Sequence, residues 1–179
     1  AGCHQIVGYQ ASFPQVYKVP MLVGQDAKYL SSALTQYRSG DRKHMTMRAI
    51  AASLSDQDIA DIAAYYASLG RPAPEVPKTV QQPIARELQS KLASCQACHG
   101  ANFSSPTDGT IARLAGQYAD YMYFAMKAYQ TEGNPHFGRV NAMMNPMVKP
   151  LTDADLREIS TYLAGLPSEL RTVPEPAFK

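Results

Sequence analysis

Apolar positions along this chain recur at three- and four-residue spacing in several separate stretches. Tyr29, Leu30, Ala33, Leu34 and Tyr37 fall on one face of a helix, as do Tyr121, Met122, Ala125, Met126 and Tyr129. Ile59, Ile62, Tyr66 and Leu69 form a second stripe, mirrored by Leu156, Ile159, Leu163 and Leu166. Cap signals open these later helices: Ser55-x-x-Asp58 and Thr152-x-x-Asp155, with acidic first turns that suit the helix dipole. Another helix runs from about Ile84 through Leu88 and Leu92 into Cys95. No run alternates with period two, so the pattern predicts an all-α fold.

The stripes repeat because the chain does. Met21 to Gln25, with Tyr29 to Tyr37, matches Arg113 to Gln117, with Tyr121 to Tyr129, at an offset of 92. Leu54-Ser55-Asp56 and the helix after it match Leu151-Thr152-Asp153 and its helix at 97, while Cys3-His4 falls on Cys98-His99 at 95. Short loop insertions and deletions account for the drift. Two divergent copies of one domain are expected: residues 1–70, a Pro-rich linker over 71–83, and residues 84–179, ending in a tail from Val173.

Composition narrows the class. Of 179 residues, 45% are apolar and 18% charged, which excludes a disordered or low-complexity segment. A formal net charge of +2, with basic residues scattered, gives no footprint for nucleic acid. No stretch reaches the roughly 18 apolar residues of a membrane span, and no basic-then-apolar leader opens the chain. The expectation is a soluble, already processed protein.

The three cysteines carry the chemistry. An odd count does not close a disulfide framework, and with no second C-x-x-C a four-ligand zinc site is not completed. Cys95-x-x-Cys98-His99 is the attachment pattern of c-type haem. Two cysteines three apart on a helical turn can add to two porphyrin vinyl groups, and the adjoining His99 can ligate the iron. A redox dithiol or half a zinc site is the alternative, and neither explains the histidine and the repeat together. A covalent porphyrin also supplies the core that a domain this small lacks.

Cys3-His4 is the same site in the first copy. Cys95 maps one position before Ala1, so this copy is expected to lack its first haem cysteine and first helix, as an N-terminally incomplete version of a longer protein would. A natural single-thioether haem is the alternative. For the sixth iron position a methionine thioether favours ferrous iron. Met47 and Met144 each stand seven residues before the aligned Leu54 and Leu151, which selects them over Met45, Met143 and Met147. Met21, Met122 and Met126 read as core residues on helix faces. His44 and His136 do not align with one another and read as surface loop residues.

On these residues the chain resembles the dihaem cytochrome c4 family, tandem class I cytochromes c. The resemblance rests on the two haem motifs, on Leu22-Val23-Gly24-Gln25 and Leu114-Ala115-Gly116-Gln117 with the tyrosines that follow, and on the paired Met47/Leu-Ser-Asp and Met144/Leu-Thr-Asp stretches. It implies two covalent haem c groups, each wrapped by one domain, held through Cys3, Cys95 and Cys98 and ligated by His4/Met47 and His99/Met144. It implies an electron carrier rather than an enzyme, periplasmic, working between a quinol-cytochrome c reductase and a terminal oxidase. In the family a proline carbonyl orients the proximal histidine; Pro20 fits, whereas Ala112 replaces it in the second copy, where a looser loop is expected. Two other readings compete: the dihaem electron-accepting subunit of a larger dehydrogenase, such as a flavocytochrome sulfide dehydrogenase, and a haem peroxidase with one iron lacking its methionine.

Overall fold

The computed structural model describes residues 2–69, 77 and 84–174. Apart from Pro77, the expected linker lies outside the described residues, as does the tail beyond Pro174.

Each half is a small helical bundle. The first has a 3-10 turn at Cys3–Gln5 and a hairpin of β1 (Gln10–Ala11) and β2 (Tyr17–Lys18). Then come α1 (Ala27–Ser39), β3 (Arg42–Lys43), α2 (Met45–Ala52) and α3 (Asp56–Leu69). The second half has α4 (Arg86–His99), α5 (Ala119–Gln130), β4 (Gly138–Arg139), α6 (Met144–Val148) and α7 (Asp153–Ala164). The repeat is thus structural: α1, β3, α2 and α3 correspond to α5, β4, α6 and α7.

Capping fixes where these helices begin. Asp26 accepts from the Lys28 N–H at the start of α1, and Gly40, at φ 91°, ends it. Ser55 and Thr152 accept from the N–H groups of Asp58 and Asp155, whose carboxylates accept in return from the cap residues. Both reciprocal boxes predicted from sequence are therefore present.

Two cores result. Leu88 and Leu92 of α4, Met122 of α5, and Ile159 and Leu163 of α7 close around Phe103 and Ala115 in the second half. In the first, Val23, Leu30, Ala63 and Tyr66 form the centre. Phe103 is fully buried with φ 58°, a left-handed conformation uncommon for an aromatic residue. Its repeat partner at an offset of 95 is Gly8, at φ 72°. Both positions take a left-handed conformation, but only the second places a ring in the core. Met122 is buried on a helix as expected, whereas Met21, also buried, sits in a loop rather than on a helix face.

The halves are stitched together by polar and aromatic contacts. β3 pairs antiparallel with β4, Arg42 opposite Arg139 and Lys43 opposite Gly138. Tyr17 of β2 stacks on Phe124 of α5 at 4.7 Å, and the Lys18 N–H donates to Asp120 at 2.9 Å. The chain crosses back just before the predicted tail, where the Arg171 N–H donates to the Val23 carbonyl, and Val173, predicted to begin that tail, packs on the first core. No helix among the described residues is long and apolar enough to cross a membrane.

Candidate haem sites and the interface between them

α4 carries Cys95 and Cys98 on its last turns and ends on His99. The His99 ring is buried, and its Nδ1 lies 2.7 Å from the Ala112 carbonyl oxygen. A carbonyl only accepts, so Nδ1 must hold the proton and Nε2 keeps the lone pair a metal needs. In the first half His4 does the same, with Nδ1 2.9 Å from the Pro20 carbonyl. Burial pushes both imidazoles below their ordinary pKa, the carbonyl bonds oppose it in part, and nearby His44 adds to the lowering at His4. Neutral, singly protonated rings aimed by a backbone carbonyl are the state of a metal-ligating histidine.

The contact to Ala112 is the shorter of the two, so the looser loop expected there is not observed. The loop is fixed independently of proline: the Phe103 carbonyl accepts from the N–H groups of Leu114 and Ala115 at 2.8 and 3.1 Å.

None of the three cysteines is in a disulfide; Cys3 and Cys98 are exposed, and Cys95 packs against the second core. Burial raises the Cys95 thiol pKa. It is not the lowered thiol of an activated nucleophile. Among the described residues no three His, Cys, Asp or Glu gather to hold a metal ion.

Met47 lies in the first turn of α2 and Met144 opens α6. Both are half-buried, whereas Met45, Met143 and Met147 are 57%, 66% and 46% exposed. The Met47 N–H donates to His44 Nδ1 at 3.2 Å, and the Met144 N–H to Asn141 Oδ1 at 2.9 Å. His44 is thus no surface loop residue. It caps α2, and its Nε2 contacts the Tyr17 hydroxyl at 2.9 Å. Its repeat partner is Asn141, at the same offset of 97 as the two methionines. His136 is exposed in a loop, as expected.

Sequence reasoning missed a cluster between the halves. Arg42 and Arg139 face one another in the β3–β4 pair, Arg42 over Tyr29 and Tyr37 at 5.4 and 5.8 Å, Arg139 over Tyr121 and Tyr129 at 5.7 and 5.5 Å. Their spacing of 97 was a visible signal. Arg42 is only 6% exposed, and among the described residues neither guanidinium has a carboxylate partner. A buried, unpaired cation is costly, so two side by side fit a group that brings carboxylates of its own. Haem propionates are such carboxylates, and a neutral imidazole directly following a cysteine in each half suits a covalently held iron porphyrin. The residues present therefore fit the group.

A cytochrome c family model matches residues 89–167. Cytochrome c4 of Pseudomonas aeruginosa is 30% identical over 152 residues, spanning 82% of this chain and 75% of that protein. The chain belongs to the cytochrome c4 family. The crystal structure of reduced recombinant cytochrome c4 from Pseudomonas stutzeri superposes with a TM-score of 0.63 at 27% identity, covering 83% of this chain and 85% of that one. A thiosulfate dehydrogenase electron acceptor of Stutzerimonas stutzeri is 28% identical over 178 residues, 93% of this chain and 78% of that protein. As a member of the cytochrome c4 family, the chain is a dihaem c-type cytochrome, with covalently bound haem c, that transfers electrons between redox partners and is not an enzyme.

Proposed function

We propose that Cys95 and Cys98 would hold one haem by thioether bonds and Cys3 the other, with His99/Met144 and His4/Met47 as the residues that would ligate the two irons. The haem supplies reversible one-electron chemistry at iron. The protein's residues orient, bury and bias it. Carbonyls of Pro20 and Ala112 fix the two histidine tautomers. His44 and Asn141 hold the backbone of Met47 and Met144 in register. Thioether sulfur favours ferrous iron and so raises the potential, and Arg42 and Arg139 act in the same sense by opposing nearby negative charge. The two units are residues 1–70 and 84–179, joined by 71–83. The observation that carries this reading is the same histidine–carbonyl bond at the same repeat position in both halves.

The working place is the periplasm, between a quinol-oxidising reductase and a terminal oxidase. The likeness to a thiosulfate dehydrogenase electron acceptor supports a second reading, service to a dehydrogenase of that kind; stable co-purification with such an enzyme favours it over the respiratory shuttle. The ligand assignment is tested by Met47→Ala and Met144→Ala. Each should abolish half of the methionine-to-iron charge-transfer band and lower one haem potential. If Met45→Ala or Met143→Ala does this instead, the assignment is wrong.

A further inference from the structure

Two buried glutamines cross the interface in opposite directions. Gln25, in the first half, donates from Nε2 to the Arg113 carbonyl at 2.8 Å and accepts at Oε1 from the Arg113 N–H at 3.0 Å. Gln117, in the second, donates to the Met21 carbonyl at 3.0 Å and accepts from the Met21 N–H at 3.0 Å. Gln25 and Gln117 are partners at the offset of 92, and so are Met21 and Arg113. Gln25 and Gln117 are 6% and 3% exposed; the Gln117–Met21 bonds are buried and the Gln25–Arg113 bonds partly so.

The peptide units they grip are the ones that orient the histidines. The Met21 N–H belongs to the peptide whose carbonyl, from Pro20, accepts from His4; the Arg113 N–H belongs to the peptide whose carbonyl, from Ala112, accepts from His99. A peptide whose N–H is bonded carries more negative charge on its oxygen and becomes a better acceptor. The run is therefore Gln Oε1, peptide N–H, the same peptide's C=O, and histidine Nδ1–H. Within each run the glutamine belongs to one half and the histidine to the other.

We propose that Gln25 and Gln117 are reciprocal positioning residues, each tuning the haem of the opposite half through that half's proximal histidine. This rests on the proposed ligation by His4 and His99. A stronger acceptor at Nδ1–H makes the imidazole more electron-rich and favours ferric iron. Removing the glutamine acceptor then raises the potential of the other half's haem. Bonds in such a run reinforce one another by about 10–30%, which for a neutral imidazole–carbonyl bond is at most roughly a twofold change in the redox equilibrium. At 59 mV per tenfold for one electron, that is about 18 mV.

The test is a redox titration of the intact dihaem protein carrying Gln25→Leu or Gln117→Leu. The two haems are distinguished by their methionine methyl NMR signals in the reduced state and assigned with Met47→His. Gln117→Leu should raise the His4 haem and leave the His99 haem in place, and Gln25→Leu should do the reverse. Gln→Glu, whose protonated carboxyl reproduces both the donor and the acceptor, should return each potential toward the parent at acidic pH. Gln→Met, nearly isosteric, serves if a Leu variant does not fold. A shift confined to the haem of the substituted half, equal shifts of both haems, or no shift would overturn the proposal. If the ligand reading is the one at fault, Met47→His leaves both methyl signals unchanged; if only the glutamine role is at fault, that signal moves and the glutamine variants change nothing.

Discussion

Replacing Gly24 by alanine should open the interface at a single point of close approach. Gly24 has φ 96°, and a Cβ there would press on the Glu169 carbonyl oxygen, 2.8 Å from its carbonyl carbon and 3.1 Å from the Leu170 nitrogen. A left-handed conformation costs an L-residue about 1–2 kcal/mol. The obstructing atoms are backbone and have no rotamer to escape into, so overpacking adds about 1–3 kcal/mol. The expected loss is roughly 2–5 kcal/mol. Gly133 supplies the control, because it has φ 71° and nothing within 4 Å of the position a Cβ would take. Gly133→Ala should show the backbone cost alone, about 1–2 kcal/mol. Guanidinium unfolding of the dihaem protein measures both through midpoint shifts at constant slope. The difference between the variants isolates the contact between Gly24 and the 169–170 segment. Equal destabilisation by the two substitutions would show that this segment does not pack on Gly24, and the account of the interface would fail there.

Phe103→Ala should cost about 3–5 kcal/mol in the same unfolding assay, since it empties the centre of the second core; a loss below about 1 kcal/mol would contradict that packing. Asp155 is held down to about 2 by its bond to Lys91 and then by Thr152. Because its folded pKa is depressed, its stabilising effect is present above the ordinary carboxylate range and is lost as pH falls toward 2. Asp155→Asn should therefore destabilise at neutral pH and match the parent near pH 2 in pH-dependent thermal unfolding. A deficit of the same size at both ends would refute the linkage.

Much of this was legible in the residues, for reasons that also define the limit. Stripes such as Ile59, Ile62, Tyr66 and Leu69, and the Ser55 and Thr152 caps, are local signals, so α3 and α7 could be placed from spacing alone. The haem motif is equally local. The interface is not, because Gln25 reaches 88 residues along the chain to Arg113 and nothing near either residue announces the contact. β3 and β4 are two residues long, too short for any period. Arg42 and Arg139 were readable only by extending the repeat. His44 was misjudged for a related reason: its equivalent is Asn141, a different residue type in the same capping role, so matching histidine to histidine could not find it. The segment through Val173 looked like a tail because the core it packs against lies in the other half.

The central claim is that two equivalent histidine sites, one in each half, hold two covalent haems. Intact mass combined with an alkaline pyridine haemochrome spectrum of the native protein tests it most directly. Two haems per chain is the predicted result, with one carried by the peptide containing Cys3 and one by the peptide containing Cys95 and Cys98; a single haem per chain would contradict it.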